Sequence, residues 1–352
     1  MRVSLLTIWH VKNYGAELQT YATVRLLQEL GHTVEVVDYR LFDDIKPLTL
    51  RNKVAWFLNL VSPQNLKFEL FWKRHIPSSR TYRSLQDLIN DPPKADIYLV
   101  GSDQVWNPEI VKEKFLTYFL PFGPSYLRRA SYASSLGGSD LNSVSHAFDN
   151  VYNQLNKFFS ISCRESSGTK LLSSLLNRQV DTVLDPTLLF YNFHDLVSTN
   201  KEFFTLAYYE LSPSPDMLSF ARRVADKMNL KFCDVNKKSY LLGKLEWNRK
   251  SLQSWIYSIA TSKFVITHSF HGLVLCLLYH RQFMVVYNDD RRICRIKDLL
   301  SSVGLVDRLF TSIDEAEMSE IWNKEIDYKV VDSKLDSLRL ASRQYLDKIL
   351  TL

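Results

Sequence analysis

The feature that most limits what this chain can become is an alternation running through nearly all of it: short apolar runs rich in β formers, each followed by a loop and then a helically spaced stretch. Residues 2–9 are the first such run, 10–16 the loop and 17–30 the helical stretch, with Gly31 placed to stop it. Further strands are predicted at 33–38, 96–100, 129–134, 158–162 and 181–184, with helices near 142–157 and 165–176. The rhythm lapses over 186–201 and then resumes. Strands at 203–210, 231–235, 264–267 and 283–287 alternate with helices near 215–228, 251–261, 271–279 and 294–302. Such alternation predicts parallel sheets wound with helices.

A chain of 352 residues exceeds one core of ordinary size. We therefore expect an α/β protein of two doubly wound Rossmann-like domains in a GT-B-like arrangement. The domains are placed at 1–190 and 191–330, and the last helix, 331–352, is a candidate to pack back across the hinge. Residues 51–75 break the alternation and read as a helical insertion on the first domain. There Trp56, Phe57, Phe71 and Trp72 stand beside Lys67, Lys73 and Arg74, a mixture that also suits a lipid interface.

Composition narrows the function. Apolar residues make up 46% and charged residues 23%, enough to build cores without staples. The four cysteines form no C-x-x-C, so neither zinc nor a disulfide framework is expected, and a reducing cytoplasm is the natural compartment. A net charge of +6 suits anionic ligands or an anionic membrane surface. No nucleic-acid motif accompanies it, so no nucleic-acid partner is expected. The first residues read as a strand, not a signal peptide, and no run reaches the ~20 apolar residues of a span. Dinucleotide, P-loop, zincin and nucleophile-elbow signatures are missing, as is the D-x-D that holds a metal in many sugar transferases. No metal or cofactor is expected.

The candidate chemistry lies in loops at the carboxyl ends of expected strands, where open α/β sheets bind ligands. Asn13, Tyr14 and Gly15 begin the first helix, a place for an anion or a sugar hydroxyl, or a plain turn. Ser102, Asp103, Gln104, Trp106 and Asn107 crowd polar groups and an indole behind the run 96–100, as sugar recognition requires, or else form a capping turn. His268, Ser269 and His271 stand at the start of a helix, suited to an oxyanion and to proton transfer near neutral pH. Arg164 offers a two-pronged contact to phosphate or carboxylate, or an ion pair with Glu165 on the surface. Arg291, Arg292 and Arg295 form a second basic group.

Seven segments occur together in order: NYGAELQTYA, GSDQVWN, YASSLG, ISCRE, VLDPTLL, THSFHG and RICRIKDLLSSVGL, from residue 13 to residue 305. In this set the chain resembles the polysaccharide pyruvyl transferases. The resemblance implies a GT-B-like fold and phosphoenolpyruvate as co-substrate. The implied acceptor is a sugar, such as galactose, on a polyprenyl diphosphate carrier at the inner face of the plasma membrane. The first domain is then the acceptor side and the second the phosphoenolpyruvate side. It also implies that Arg164 and His271 are essential; the chemistry of an enol phosphate further asks for a second cationic anchor, assigned to Arg295, and a base, assigned to Asp103 or Asp185. Some relatives carry Arg where Ser269 stands, so that contact passes here to Arg295 or to Ser269 and its helix. Two other readings remain open at this point, a nucleotide-sugar transferase and a glycan-binding protein without activity.

Overall fold

Strand β1 (Arg2–Leu6) is buried at every position after its first, the condition of a central parallel strand covered on both faces. The computed structural model describes residues 1–40, 53–54, 57–58, 60–139, 148–198, 201–212, 214–241, 245–287 and 290–351. Around β1 lie β2 (Thr33–Tyr39), β3 (Ser78–Tyr82), β4 (Ile97–Val100) and β5 (Arg128–Ser131). They form one parallel sheet in the order β3-β2-β1-β4-β5. The winding reverses between β1 and β4, and loops diverge at such a point and leave a crevice. A short pair, β6 (Ser162–Cys163) and β7 (Asp181–Thr182), continues beyond β5 through isolated parallel bridges such as Ser134 with Cys163.

A second sheet has the same logic. It is built from β8 (Phe203–Tyr209), β9 (Lys231–Asp234), β12 (Ser262–Thr267), β13 (Gln282–Val286) and β14 (Leu309–Phe310), while β10 (Ser239–Leu241) and β11 (Leu245–Asn248) pair as an antiparallel ribbon. Its parallel order, β14-β13-β12-β8-β9, puts the reversal between β8 and β12. The chain divides into one unit of Met1–Asp44, Trp72–Phe190 and Asp336–Leu352 and another of Ile45–Phe71 and Tyr191–Leu335. Each unit contains one of the sheets.

Two segments group differently from a simple division at residue 190. The last helix runs Tyr328–Leu350, and its residues from Asp336 onward belong to the first unit. There the Leu184 amide donates to Ser342 Oγ (2.9 Å) and the Tyr345 hydroxyl donates to the Ser131 carbonyl (2.8 Å). The insertion was expected on the first domain throughout, yet up to Phe71 it groups with the second unit. Lys67 is the physical reason: its ammonium donates to Asn248 Oδ1 (2.6 Å) and to the Arg249 carbonyl (2.8 Å), while Arg249 lies over the Phe68 ring. Trp72, by contrast, donates to Glu17 and stacks on His10 in the first unit. Phe71 and Trp72 are buried, not lipid-facing. Trp56 lies outside the described residues, as does 140–147 at the start of the helix expected from 142.

Candidate functional site

In the first unit the helix α1 (Tyr14–Glu29) starts on Asn13, whose Oδ1 accepts from the Gly15 (2.9 Å) and Ala16 (3.2 Å) amides. Those N–H groups are capped by the chain itself. Tyr14 and Gly15 are buried, so this loop is a structural start for α1 and offers an anion little.

Behind β4 the side chains mostly bind one another. Trp106, expected as a platform for a sugar ring, is 1% exposed; its indole donates to the Tyr118 carbonyl (3.0 Å) and stacks on Phe119. It is a core residue. Gln104 Oε1 accepts from Asn107 Nδ2 (2.8 Å), and Asn107 Oδ1 caps the helix Pro108–Val111 and accepts from Ser139 Oγ (2.8 Å). This pair explains Gly137, whose φ is +65°: a Cβ there would fall 2.1 Å from Gln104 Oε1.

Ser102, Asp103, Arg164 and Asp185 do converge. Arg164 donates to Asp185 Oδ2 (2.9 Å) and to Asp103 Oδ1 (3.4 Å), and its Nε lies 3.9 Å from Glu165 Oε2. Its side chain is 1% exposed, so the surface pairing with Glu165 is replaced by a buried cluster. Burial works to lower the guanidinium's pKa, but Asp185, Asp103 and Glu165 outweigh it and the net shift is upward. Asp185 also accepts from Ser102 Oγ (2.9 Å), the Thr187 amide (3.1 Å) and Thr187 Oγ1 (2.6 Å). With its oxygens so engaged it holds Arg164 in place and is poorly suited to act as a base. Glu165 is fully buried, accepting from the Leu136 (2.8 Å) and Gly137 (3.3 Å) amides. Asp103 differs: its side chain is 16% exposed, its φ is +80°, and its Oδ1 also accepts from the Gln104 amide (2.8 Å). Of the three carboxylates on Arg164, Asp103 is the one within reach of a ligand.

In the second unit Ser269 caps the helix Phe270–Leu278, its Oγ accepting from the Gly272 amide (3.3 Å). The end of β12 is pinned to β8 by Thr267, whose hydroxyl donates to the Tyr209 carbonyl (2.7 Å) and accepts from the Ser269 amide (3.0 Å). His271, in the first turn, is buried edge-on to Phe270. The Arg295 guanidinium lies 5.9 Å from the centre of that same Phe270 ring. The side chains of Arg291 and Arg292 lie outside the described ones.

His268 has a separate setting. Its Nε2 accepts from the Leu211 amide (3.3 Å) and its Nδ1 lies 3.3 Å from Glu210 Oε1. Glu210 is buried and accepts from the Tyr208 hydroxyl (2.8 Å). Burial, and then the Glu210 carboxylate, raise the Tyr208 pKa and keep it a donor. His268 and Glu210, just past the ends of β12 and β8, border a cavity of about 590 Å³ that Tyr287, Asp216 and Asp314 also line. Among the described residues no Lys or Arg lines it. Its acidic side chains accept hydrogen bonds from hydroxyls, so His268 borders a cavity whose described lining suits a polyol.

Glu210 and Tyr287 were not singled out in the sequence, and Glu165 was given there only as a surface partner of Arg164. Glu210 and Tyr287 each directly follow a strand, β8 and β13, and that position at a strand's carboxyl end was the available signal. Among the described residues no group of three or more His, Cys, Asp or Glu could hold a metal ion.

The family model for polysaccharide pyruvyl transferase matches residues 13–290. Among curated proteins nothing matches the chain. Solved structures share its fold at very low identity. A UDP-GlcNAc 2-epimerase from Neisseria meningitidis, bound to UDP-GlcNAc, is 11% identical with a TM-score of 0.53 over 99% of this chain and 100% of that one. A putative UDP-N-acetylglucosamine 2-epimerase from Listeria monocytogenes is 10% identical with a TM-score of 0.55 over 98% and 95%. MnaA from S. aureus, bound to UDP, is 11% identical with a TM-score of 0.55 over 99% and 96%. These likenesses bear out the GT-B-like fold class and speak to fold alone.

Proposed function

The chain belongs to the polysaccharide pyruvyl transferase family, and from that premise we propose that it moves the pyruvyl unit of phosphoenolpyruvate onto two hydroxyls of one hexose, such as lipid-linked galactose, as a cyclic ketal. The product belongs to surface or capsular polysaccharide assembly on the cytoplasmic side of the membrane. The donor is an enol phosphate, so the reaction begins with a proton delivered to C3, which leaves C2 electrophilic. One sugar hydroxyl adds to C2, the C2–O bond to phosphate breaks, and the second hydroxyl closes the ring. Of the two hydroxyl protons, one balances the proton gained at C3 and the other leaves with phosphate. No cofactor is required.

We assign Arg164 and Arg295 to the donor's phosphate and carboxylate, and His271 to proton transfer. The observation that supports this most is the construction around Arg164. Asp185 and Glu165 hold the guanidinium, while the contact to partly exposed Asp103, 3.4 Å, is longer than the 2.9 Å bond to Asp185. A donor oxyanion replacing that contact would release Asp103 from Arg164 and leave it to accept from a sugar hydroxyl. Asp103 is thus the preferred base, and Asp185 becomes its support.

A second reading, a transferase using a nucleotide sugar, draws on the acid-lined cavity of the second unit, since ribose and sugar hydroxyls suit Glu210 and Asp314. Incubation with phosphoenolpyruvate and a panel of lipid-linked and nucleotide-linked hexoses separates the two. Mass spectrometry showing a gain of pyruvate less water supports pyruvyl transfer, whereas release of a nucleoside diphosphate contradicts it. Sugar binding with neither outcome would leave a glycan-binding protein.

A further inference from the structure

Helix α2 (Pro63–His75) is amphipathic in an inverted sense. Its inward face carries Phe68, Phe71 and Trp72, each under 5% exposed, as a packed helix requires. Its outward stripe, where polar residues are expected, carries Leu66 (50% exposed) and Leu70 (67%), followed at the same face by exposed Lys73 and Arg74. The spacing i, i+4, i+7, i+8 lines these four up along one side. Earlier in the same segment Phe57 (56%) and Leu60 (47%) are exposed as well. The helix has one acid, Glu69, which is half-buried.

We propose that this surface docks the protein on an anionic lipid bilayer. Large apolar side chains exposed together mark an interaction site, and the two cations at the end of the stripe select an occupant that is apolar in depth and negatively charged at its surface. Lys67 takes no part, because it is turned toward Asn248 and Arg249, and burial lowers its pKa. The docking face is therefore the leucine stripe and not Phe71 or Trp72, which are buried. Among the described residues no helix is long and apolar enough to cross a membrane. The inference is independent of which donor the enzyme uses.

The test is co-sedimentation of the whole protein with vesicles of phosphatidylglycerol and of phosphatidylcholine across a salt series. The parent should bind the anionic vesicles, weakly or not at all the zwitterionic ones, and less as salt rises. Leu66→Asp with Leu70→Asp, both at exposed positions, should keep the parent's circular dichroism and melting temperature and lose binding by about tenfold or more. Lys73→Gln with Arg74→Gln should lose most of the salt-sensitive part. Binding of the leucine variant equal to the parent's, or no binding by the parent, overturns the proposal. Self-association in the ultracentrifuge that the leucine variant abolishes, with no vesicle binding, would assign the stripe to a second copy instead.

Discussion

At the scale of single residues the account turns on charges taken out of water. Arg164 stays protonated at any ordinary pH because the carboxylates around it more than offset its burial. Lysine at this position keeps the charge but loses the fork that reaches Asp185 and Asp103 from two nitrogens. Arg164→Lys should reduce turnover by about 10²-fold, the scale of one preorganised contact to developing charge, and weaken apparent affinity for phosphoenolpyruvate. If affinity for phosphoenolpyruvate matches the parent's while melting temperature falls, Arg164 is a structural residue only. Asp103, Arg164 and Asp185 were legible because charged residues at strand ends are rarely idle. Trp106 was misread because the polar crowding behind β4 is satisfied internally, and sequence does not show which partner a donor chooses.

His10 gives a second prediction at this scale. Burial, reinforced by the Arg40 guanidinium against its ring, lowers its pKa to about 4. The folded state therefore holds this ring neutral where the unfolded chain, at 6.5, would bind a proton. The associated stability is present in full above about 6.5 and is lost as pH falls toward 4, about 3 kcal/mol in all. Asparagine tolerates the positive φ of 58° found here. His10→Asn should therefore flatten the loss of urea stability between pH 7 and pH 4.5. An unchanged slope would remove His10 from the explanation.

At the scale of elements, strands with continuous apolar runs were legible and those without were not. β4 is buried at all four positions and was placed within one residue of its observed bounds. β3, with the sequence SSRTY, is an edge strand with one buried residue, and β14 has two residues in all. Neither carries a periodic signal long enough to read. The helix after β12 begins at Phe270, because Ser269 caps it and Thr267 ties its entry to β8. Gly272 is required by that closeness, since a Cβ there would lie 2.7 Å from Thr267 Oγ1 and 3.2 Å from the Tyr209 ring. Gly272→Ala should cost about 1–3 kcal/mol of stability, the usual scale of overpacking, and lower activity by displacing His271. A variant as stable as the parent would show that this junction has room the geometry denies.

At the scale of the whole molecule, the two windings and the lapse between them were readable from periodicity. The grouping of residues up to Phe71 with the second unit was not, since it rests on Lys67 reaching Asn248, 181 residues away in the chain. Family membership was visible in the order of seven short segments, and the match over 13–290 agrees with it. The chemistry itself is tested most directly by stoichiometry. With phosphoenolpyruvate labelled at C2 and a lipid-linked galactose acceptor, the account predicts one inorganic phosphate released for each labelled ketal carbon formed, and no phosphate without the acceptor. Phosphate released without the acceptor or without ketal, or no consumption of phosphoenolpyruvate while a nucleotide sugar is turned over, would contradict it.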